Sequence, residues 1–302
     1  MDRREFLKRQ ARGALILSSG LAVTKIVSAA PDPDIAVVKG TPAAATRGAV
    51  ELLGGIRKFV KPGNRVVIKP NMSFSVPPER ASNTHPEVVR ELVILCKEAG
   101  ASKILVLDHT LASPDSCLDT SEIRPACDAL GEKVVFAINR PEFYQEIDIT
   151  GARDLHKTQI VKEALKADVL IAAPVAKSHS STGVSLSMKG MMGLIWDRRI
   201  MHWQDLHTGI VDLCTQLKAD LTVIDGSRVL STNGPGGPGK VIRQDTIIAS
   251  GDMVAADAYA VASFEWYGKR FKPRQVKHIL EAHRRGLGRM DLENLNIHTL
   301  SL

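Results

Sequence analysis

The chain has 302 residues, of which 44% are hydrophobic and 24% are charged, a composition ordinary for a soluble globular protein. Its formal net charge is +7, but residues 1–30 carry six basic and two acidic side chains. Without that segment 34 basic and 31 acidic residues remain, a surplus too small to suggest nucleic acid as a partner. Aromatic residues make up only 4%, which predicts a mainly aliphatic core.

Residues 1–30 have the layout of an export signal. Arg3 and Arg4 open an Arg-Arg-x-Phe-Leu-Lys pattern that is met at every position, and an uncharged stretch follows over residues 13–24. Small residues ending at Ala30 then offer a cleavage site. These features resemble a twin-arginine signal, which the twin-arginine translocation machinery reads to export a folded chain. The sequence therefore predicts a signal peptide and a periplasmic mature protein.

The uncharged stretch of 12 residues is shorter than the roughly 20 that a membrane-spanning helix needs. We therefore expect no stable membrane span once the signal is cleaved. Two alternatives stay open, namely a signal that is kept as an uncleaved anchor and an amphipathic N-terminal helix.

The four cysteines are Cys96, Cys117, Cys127 and Cys214. Zinc and iron–sulfur sites usually take two ligands that are close in sequence, and no two of these cysteines are closer than ten residues. We therefore expect no iron–sulfur cluster. In an oxidising compartment Cys117 and Cys127 are the favoured disulfide pair, and four buried thiols are the equal alternative.

Short β-branched runs alternate with amphipathic segments after the signal. The runs predicted as strands are Ile35–Lys39, Arg65–Pro70, Lys103–Asp108, Lys133–Ile138, Asp168–Pro174, Leu221–Asp225 and Thr246–Ala249. The segments predicted as helices are Ala43–Val60, Pro86–Ala99 (with Thr84 as its cap), Leu206–Leu217 and Met253–Phe264. The alternation predicts an α/β fold, a doubly wound and mostly parallel sheet with helices on both faces, in a single domain over residues 31–302.

Polar side chains cluster where four of these strands end. Lys69 and Asn71 lie at the end of the second predicted strand, and Asp108 and His109 lie at the end of the third. Lys177 and His179 follow the fifth strand, in a connection that ends near Lys189. Asp225 ends the sixth strand. Ligands of parallel sheets gather at the carboxyl ends of the strands. We therefore expect one concave face to collect Lys69, Asn71, His85, Lys177, His179, Lys189 and Asp225.

Lysines and asparagines on such a face predict the binding of a small anionic ligand. The residues assigned to this role are Lys69, Asn71, Lys177, Lys189 and Asn233. Catalysis is assigned to His179 or His85 as acid and base, with Asp225 orienting the base or binding a metal. The competing interpretation is that each lysine is a solvated surface residue and each histidine a cap or surface residue.

Two further motifs are weaker. The run Gly234–Lys240 nearly matches a phosphate-binding loop, but two prolines remove N–H donors, and Val241 stands where a magnesium-binding hydroxyl is required. His202 and His207 could bind a divalent metal, so the sequence leaves a metal site as an open alternative. Their spacing matches no known zinc-binding helix.

Several of these segments together resemble the domain of unknown function numbered 362. The matching segments are residues 66–71, 83–87, 174–190, 221–226, 233–235 and 249–257, within a resemblance that covers roughly residues 35–297. Some members carry a C-terminal ferredoxin-like module that this chain lacks. The family often has Lys-Asn where this chain has Lys189-Gly190, which weakens any role for the side chain at position 190.

The leading hypothesis is a periplasmic enzyme that acts on a small anionic substrate, with racemisation or epimerisation of a hydroxy acid as one suggestion. The rival is a solute-binding or cofactor-carrying protein without turnover. Strongly shifted pKa values at His179 or Lys177 would favour catalysis, whereas two lobes joined by a hinge would favour solute capture.

The export hypothesis predicts that changing Arg3 and Arg4 together to lysine strands the precursor in the cytoplasm, because the translocation machinery reads the arginine pair. Immunoblots of periplasmic and cytoplasmic fractions measure this. A normal periplasmic yield from the double variant would contradict the hypothesis.

Overall fold

A ten-stranded sheet forms the centre of the part of the chain that the structure, a computed structural model, describes, namely residues 32–302. The expected signal peptide lies outside these residues. The strands are β1 (Ile35–Lys39), β2 (Arg65–Pro70), β3 (Lys103–Asp108), β4 (Val135–Ala137), β5 (Tyr144–Asp148), β6 (Lys157–Val161), β7 (Val169–Ala173), β8 (Val175–His179), β9 (Gly183–Ser185), β10 (Leu221–Leu230), β11 (Val241–Ser250), β12 (Glu265–Trp266), β13 (Lys269–Arg270) and β14 (Ile297–Ser301).

Nine α-helices lie within residues 32–302. They are α1 (Pro42–Leu52), α2 (Pro86–Glu98), α3 (Pro114–Thr120), α4 (Ile123–Asp128), α5 (Lys162–Leu165), α6 (Ser187–Gly190), α7 (Leu206–Gln216), α8 (Met253–Ser263) and α9 (Lys277–Arg284). Within residues 32–302, no helix is long and apolar enough to cross a membrane.

The sheet is mostly parallel, as predicted. Its main path runs β14-β1-β11-β10-β7-β2-β3-β4, and β8 and β9 are attached beside β10. The pairs along β10-β7-β2-β3-β4 are all parallel, whereas β11 runs antiparallel to both of its neighbours. Because the strands are covered on both sides, alternate residues serve two separate cores.

Val67 and Val66 illustrate this division, because they are adjacent in β2 and belong to different cores. Val67 packs in the core that includes residues of α7 and α8, and Val66 in the core that includes residues of α1 and α2. Helices therefore lie on both faces, and the predicted doubly wound α/β fold is confirmed.

A topological switch point lies between β2 and β7, which are neighbours in the sheet. The connection from β2 to β3 passes through α2 on one face, and the connection from β7 to β10 passes through α7 on the other. Such a reversal opens a crevice at the carboxyl ends of the two strands. The second and fifth predicted strands therefore flank the natural ligand position of this sheet.

Two local predictions were wrong. The segment that holds Lys177 and His179 is a strand, β8, because the long β10 runs past the end of β7 and offers its edge to a new partner. The cap of α2 is His85 and not Thr84, since the His85 ring accepts a hydrogen bond from the Glu87 amide.

Thr84 instead connects the ends of β2 and β7. Its hydroxyl accepts from the Asn71 amide at 2.9 Å and donates to the Ala173 carbonyl at 2.7 Å. Thr84 is fully buried, so both backbone groups depend on this one oxygen. The residue therefore holds the ends of β2 and β7 together.

All four cysteines are buried free thiols. The pairing of Cys117 with Cys127 was wrong and the alternative of four buried thiols is confirmed. Burial raises the pKa of Cys127 to about 12, and Cys117 donates a hydrogen bond to the Ser73 carbonyl at 3.3 Å. These cysteines act as small apolar residues.

We predict that Thr84→Val destabilises the protein by about 2 kcal/mol or more, because it leaves a buried N–H and a buried C=O without partners. Equilibrium urea unfolding measures this. Thr215→Val is the control, since its half-buried hydroxyl bonds only the Asp212 carbonyl within α7 and the exposed Gln216 side chain, and it should change stability by about 0.5 kcal/mol. Equal losses in both variants would contradict the assigned role of Thr84.

Candidate functional site

A cleft of about 530 Å³ opens at the carboxyl ends of the parallel strands. Its walls are the ends of β2 and β3, the β8–β9 hairpin and the segment from Lys189 to His202. Five of the predicted site residues line it together, namely Lys69, Asn71, Lys177, His179 and Lys189. Most of the predicted site residues therefore share one pocket, and the others lie outside it.

The floor of the cleft is a buried ion pair between Lys69 and Asp108. Lys69 Nζ lies 3.1 Å from Asp108 Oδ1, and both side chains are at most 2% exposed. The other carboxylate oxygen accepts from the Met72 amide at 2.9 Å and from Ser73 Oγ at 2.7 Å. Pairing and hydrogen bonds offset the desolvation of both charges, and they tie the ends of β2 and β3 together.

Gly193 is required by this ion pair. A Cβ atom at position 193 would lie 2.2 Å from Asp108 Oδ1 and 2.5 Å from Lys69 Cε. The Gly193 carbonyl also accepts from the His109 amide at 3.0 Å. Only glycine lets the backbone after α6 approach the pair this closely.

Lys177 reaches the cleft from β8 with its amine buried. Its Nζ donates to the Ser82 carbonyl at 2.6 Å and lies 5.1 Å from the centre of the Phe74 ring. Burial, with repulsion from Lys69 and Lys189, lowers the pKa of Lys177 to about 7. Half of these amines are therefore neutral near physiological pH.

Lys189 is held over the cleft by a short helix that a distant carboxylate caps. Asp257, from α8, accepts from the Ser187 amide at 2.9 Å, the Ser187 hydroxyl at 2.6 Å and the Met188 amide at 3.0 Å. Burial, with repulsion from Arg198 and Lys69, lowers the pKa of Lys189 to about 8. Within residues 32–302 its amine has no hydrogen-bond or ion-pair partner.

The cleft carries an excess of positive charge. Its lining includes the cations Lys69, Lys177, Lys189, Arg198 and Arg199 and the carboxylates Asp108 and Asp197. Asp108 is paired with Lys69, and Asp197 lies 3.3 Å from the exposed Arg199. Among the described residues, Lys177, Lys189 and Arg198 therefore face the cleft without a carboxylate partner.

Two imidazoles of opposite hydrogen-bonding character line the same cleft. His179 Nδ1 accepts from the Ser181 amide at 3.2 Å, so its neutral ring carries the proton on Nε2. His109 Nδ1 lies 3.2 Å from the Ile195 carbonyl, which only accepts, so its Nε2 is left as an acceptor. Trp196 stacks on the His109 ring at 5.2 Å and fixes its orientation.

The pKa values of both rings are lowered. Burial, with repulsion from Lys189 and Lys177, lowers the pKa of His179 to about 3. Burial and Arg198 lower the pKa of His109. Both rings are neutral near pH 7, so one offers a donor and the other an acceptor.

Three of the predicted site residues lie outside the cleft lining. Asp225 is fully buried and accepts from the His85 amide at 2.8 Å and the Ser227 amide at 3.0 Å, while the His85 ring caps α2. Asn233 donates to the Pro238 carbonyl at 3.2 Å within the β10–β11 loop. These polar groups satisfy backbone donors and acceptors, which the sequence cannot distinguish from ligand contacts.

His202 and His207 lie in different parts of the structure. His202 lines the cleft, whereas His207 Nδ1 lies 3.3 Å from Nδ1 of the buried His278. Within residues 32–302 no three histidine, cysteine or acidic side chains are grouped as metal ligands. The predicted set also lacked Arg198 and Trp196, which belong to an irregular segment without a recognisable motif.

The chain is similar to a curated protein and to a solved structure. Over 229 residues it is 29% identical to the thylakoid-associated protein sll1697 of Synechocystis, which covers 72% of this chain and 68% of that protein. Among solved structures it is similar to the lactate racemase apoprotein of Thermoanaerobacterium thermosaccharolyticum, with 15% identity and a TM-score of 0.47. That match covers 74% of this chain and only 56% of the racemase chain.

The family comparison agrees with the resemblance found in the sequence, over a narrower range than residues 35–297. The model of the domain of unknown function DUF362 matches residues 66–262, from β2 to α8. The matched range contains every residue that lines the cleft. The chain therefore belongs to the DUF362 family.

Proposed function

We propose that this protein is an exported enzyme that binds a small anionic compound in the cleft and transfers a proton to or from it. The observation that carries the proposal is that, among the described residues, the basic side chains of Lys177, Lys189 and Arg198 line a single space without a carboxylate partner. Like charges that line one cleft repel each other, which does not stabilise the fold.

The energetics of Lys177 support an anionic ligand. One pKa unit corresponds to about 1.4 kcal/mol, so charging this amine in the empty cleft costs roughly 5 kcal/mol more than in water. A charge-assisted hydrogen bond contributes about 1.5–3 kcal/mol. An anion that contacts two or three of the cations therefore offsets this cost and restores their charge.

The two neutral imidazoles support proton transfer. The acceptor Nε2 of His109 is a candidate base, and the Nε2–H of His179 is a candidate donor to a developing negative charge. Lys177, with its pKa at about 7, is a second group that exchanges protons near neutral pH. A site that only binds an anion needs none of these proton-transfer groups, so their presence favours catalysis.

The rival function, solute binding without turnover, has less support. Residues 32–302 cluster as one compact unit, whereas solute-binding proteins commonly close two lobes around a hinge. The strongly lowered pKa values of His179 and Lys177 are typical of catalytic groups. Export to the periplasm is part of the proposal and rests on the arginine pair, Arg3 and Arg4, and its flanking pattern.

We expect Arg198→Gln to weaken the binding of oxalate about 10-fold or more, because a charged contact is lost inside the cleft. Isothermal titration calorimetry at about 0.15 M salt measures this, since distant charges are then screened. Arg243→Gln is the matched control, because Arg243 is exposed, lies 2.8 Å from Asp245 and is outside the cleft lining, and its effect should stay within about two-fold.

The same titration should depend on pH in one direction. The cleft lysines are protonated below their pKa values of about 7 and about 8, so oxalate binding should weaken as the pH rises through that range. Equal losses for the two arginine variants, or binding independent of pH and salt, would contradict an anion site in the cleft.

A further inference from the structure

The three cleft lysines differ in what their amines contact. Lys69 Nζ is paired with Asp108 at 3.1 Å, and Lys177 Nζ donates to the Ser82 carbonyl at 2.6 Å. Lys189 is the one that lacks a partner among the described residues. Its nitrogen is thus not committed to the protein and is free to react with a ligand in the cleft.

The surroundings of Lys189 favour the neutral, nucleophilic amine. Burial is the main cause that lowers the pKa of this amine, and repulsion from Arg198 and Lys69 adds to the effect. An amine that is desolvated beside other cations is the established way to make lysine a nucleophile toward carbonyl groups. At a pKa of about 8, a useful fraction of the amines is neutral at physiological pH.

The space beside Lys189 is open. A Cβ atom built at Gly190 would meet no atom within 4 Å, so a small ligand can approach this side of the helix end. Arg198 and Lys177 line the same cleft and supply the positive charge that a carboxylate next to the reacting carbon needs. A small 2-oxo acid combines that carboxylate with a carbonyl on the adjacent carbon.

We infer that Lys189 is the nucleophile of this cleft and forms an iminium with the carbonyl of a small 2-oxo acid. The inference rests on the proposed anion-binding function and names its substrate class. It also accounts for the missing acceptor at Lys189, since a permanent hydrogen-bond partner would hold the amine away from the substrate.

The chemical step balances within the cleft. The lone pair of neutral Lys189 Nζ forms a bond to the carbonyl carbon while the C=O π electrons move to the oxygen. That oxygen receives one proton from the attacking nitrogen and a second from the protonated Lys177 amine, and it leaves as water when the nitrogen lone pair forms the C=N bond. The resulting iminium carries one positive charge and withdraws electrons from the neighbouring C–H bond. His109 Nε2 takes that proton to give an enamine, reprotonation restores the iminium, and water releases the carbonyl compound and the free amine.

Reductive trapping tests this inference. The purified protein is incubated with pyruvate and sodium cyanoborohydride, which reduces an iminium to a stable secondary amine. We expect one adduct per chain, with the mass of pyruvate plus two hydrogens minus one water, located at Lys189 by peptide mass spectrometry. At saturating pyruvate, where weaker anion binding at high pH does not limit the reaction, trapping should become faster as the pH rises through about 8, because the neutral amine reacts.

Lys189→Arg keeps the charge and removes the nucleophile, so it should abolish the adduct while oxalate still binds. Lys240→Arg, at an exposed lysine that pairs with Glu265 at 3.2 Å, is the matched control and should trap normally. Oxalate should protect Lys189 from trapping by competing for the cleft.

The outcomes separate this inference from the proposed function. An adduct at Lys177 or spread over surface lysines, or no adduct in protein that binds oxalate, would overturn the role of Lys189 and leave the anion site standing. Protein that neither binds oxalate nor traps pyruvate would contradict both.

Discussion

The buried ion pair between Lys69 and Asp108 is the contact on which the cleft depends. It joins the ends of the neighbouring strands β2 and β3. The second carboxylate oxygen of Asp108 accepts hydrogen bonds from the Met72 amide and the Ser73 hydroxyl. Gly193 packs against the pair without a side chain, which brings the segment after Lys189 over the same strand ends. Asp108 neutralises Lys69 alone, so Lys177, Lys189 and Arg198 are left without a carboxylate partner among the described residues.

This crowding links the fold to the proposed chemistry. The sheet and its hairpin place the lysines within one cleft, burial removes water from their amines, and mutual repulsion lowers their pKa values. The free-energy cost of this repulsion is local to the cleft, because the two cores on either face of the sheet consist of buried apolar side chains. Stability elsewhere therefore supports a strained arrangement at the strand ends, as in many functional sites.

The alternation of strands and helices was readable from the sequence because buried strands and amphipathic helices leave different periodicities. Lys69 was placed correctly since it ends a continuous apolar strand. The β8–β9 hairpin was missed because its polar residues read as a loop, and only the length of β10 gives it a partner. The sequence could not show that His85 and Asp225 lie outside the cleft lining, because a polar side chain that caps a helix or accepts a backbone N–H has the same sequence signature as one that contacts a ligand.

The most direct measurement is a pH titration of the lysine side chains by NMR, with isotope-labelled lysine and variants to assign Lys177 and Lys189. Without ligand, the two amines should titrate near the pKa values of about 7 and about 8, and oxalate should raise both values, because a bound anion favours the protonated amines. Two amines that titrate near the ordinary lysine value of about 10.4, with or without oxalate, would contradict a cleft that is built to bind an anion.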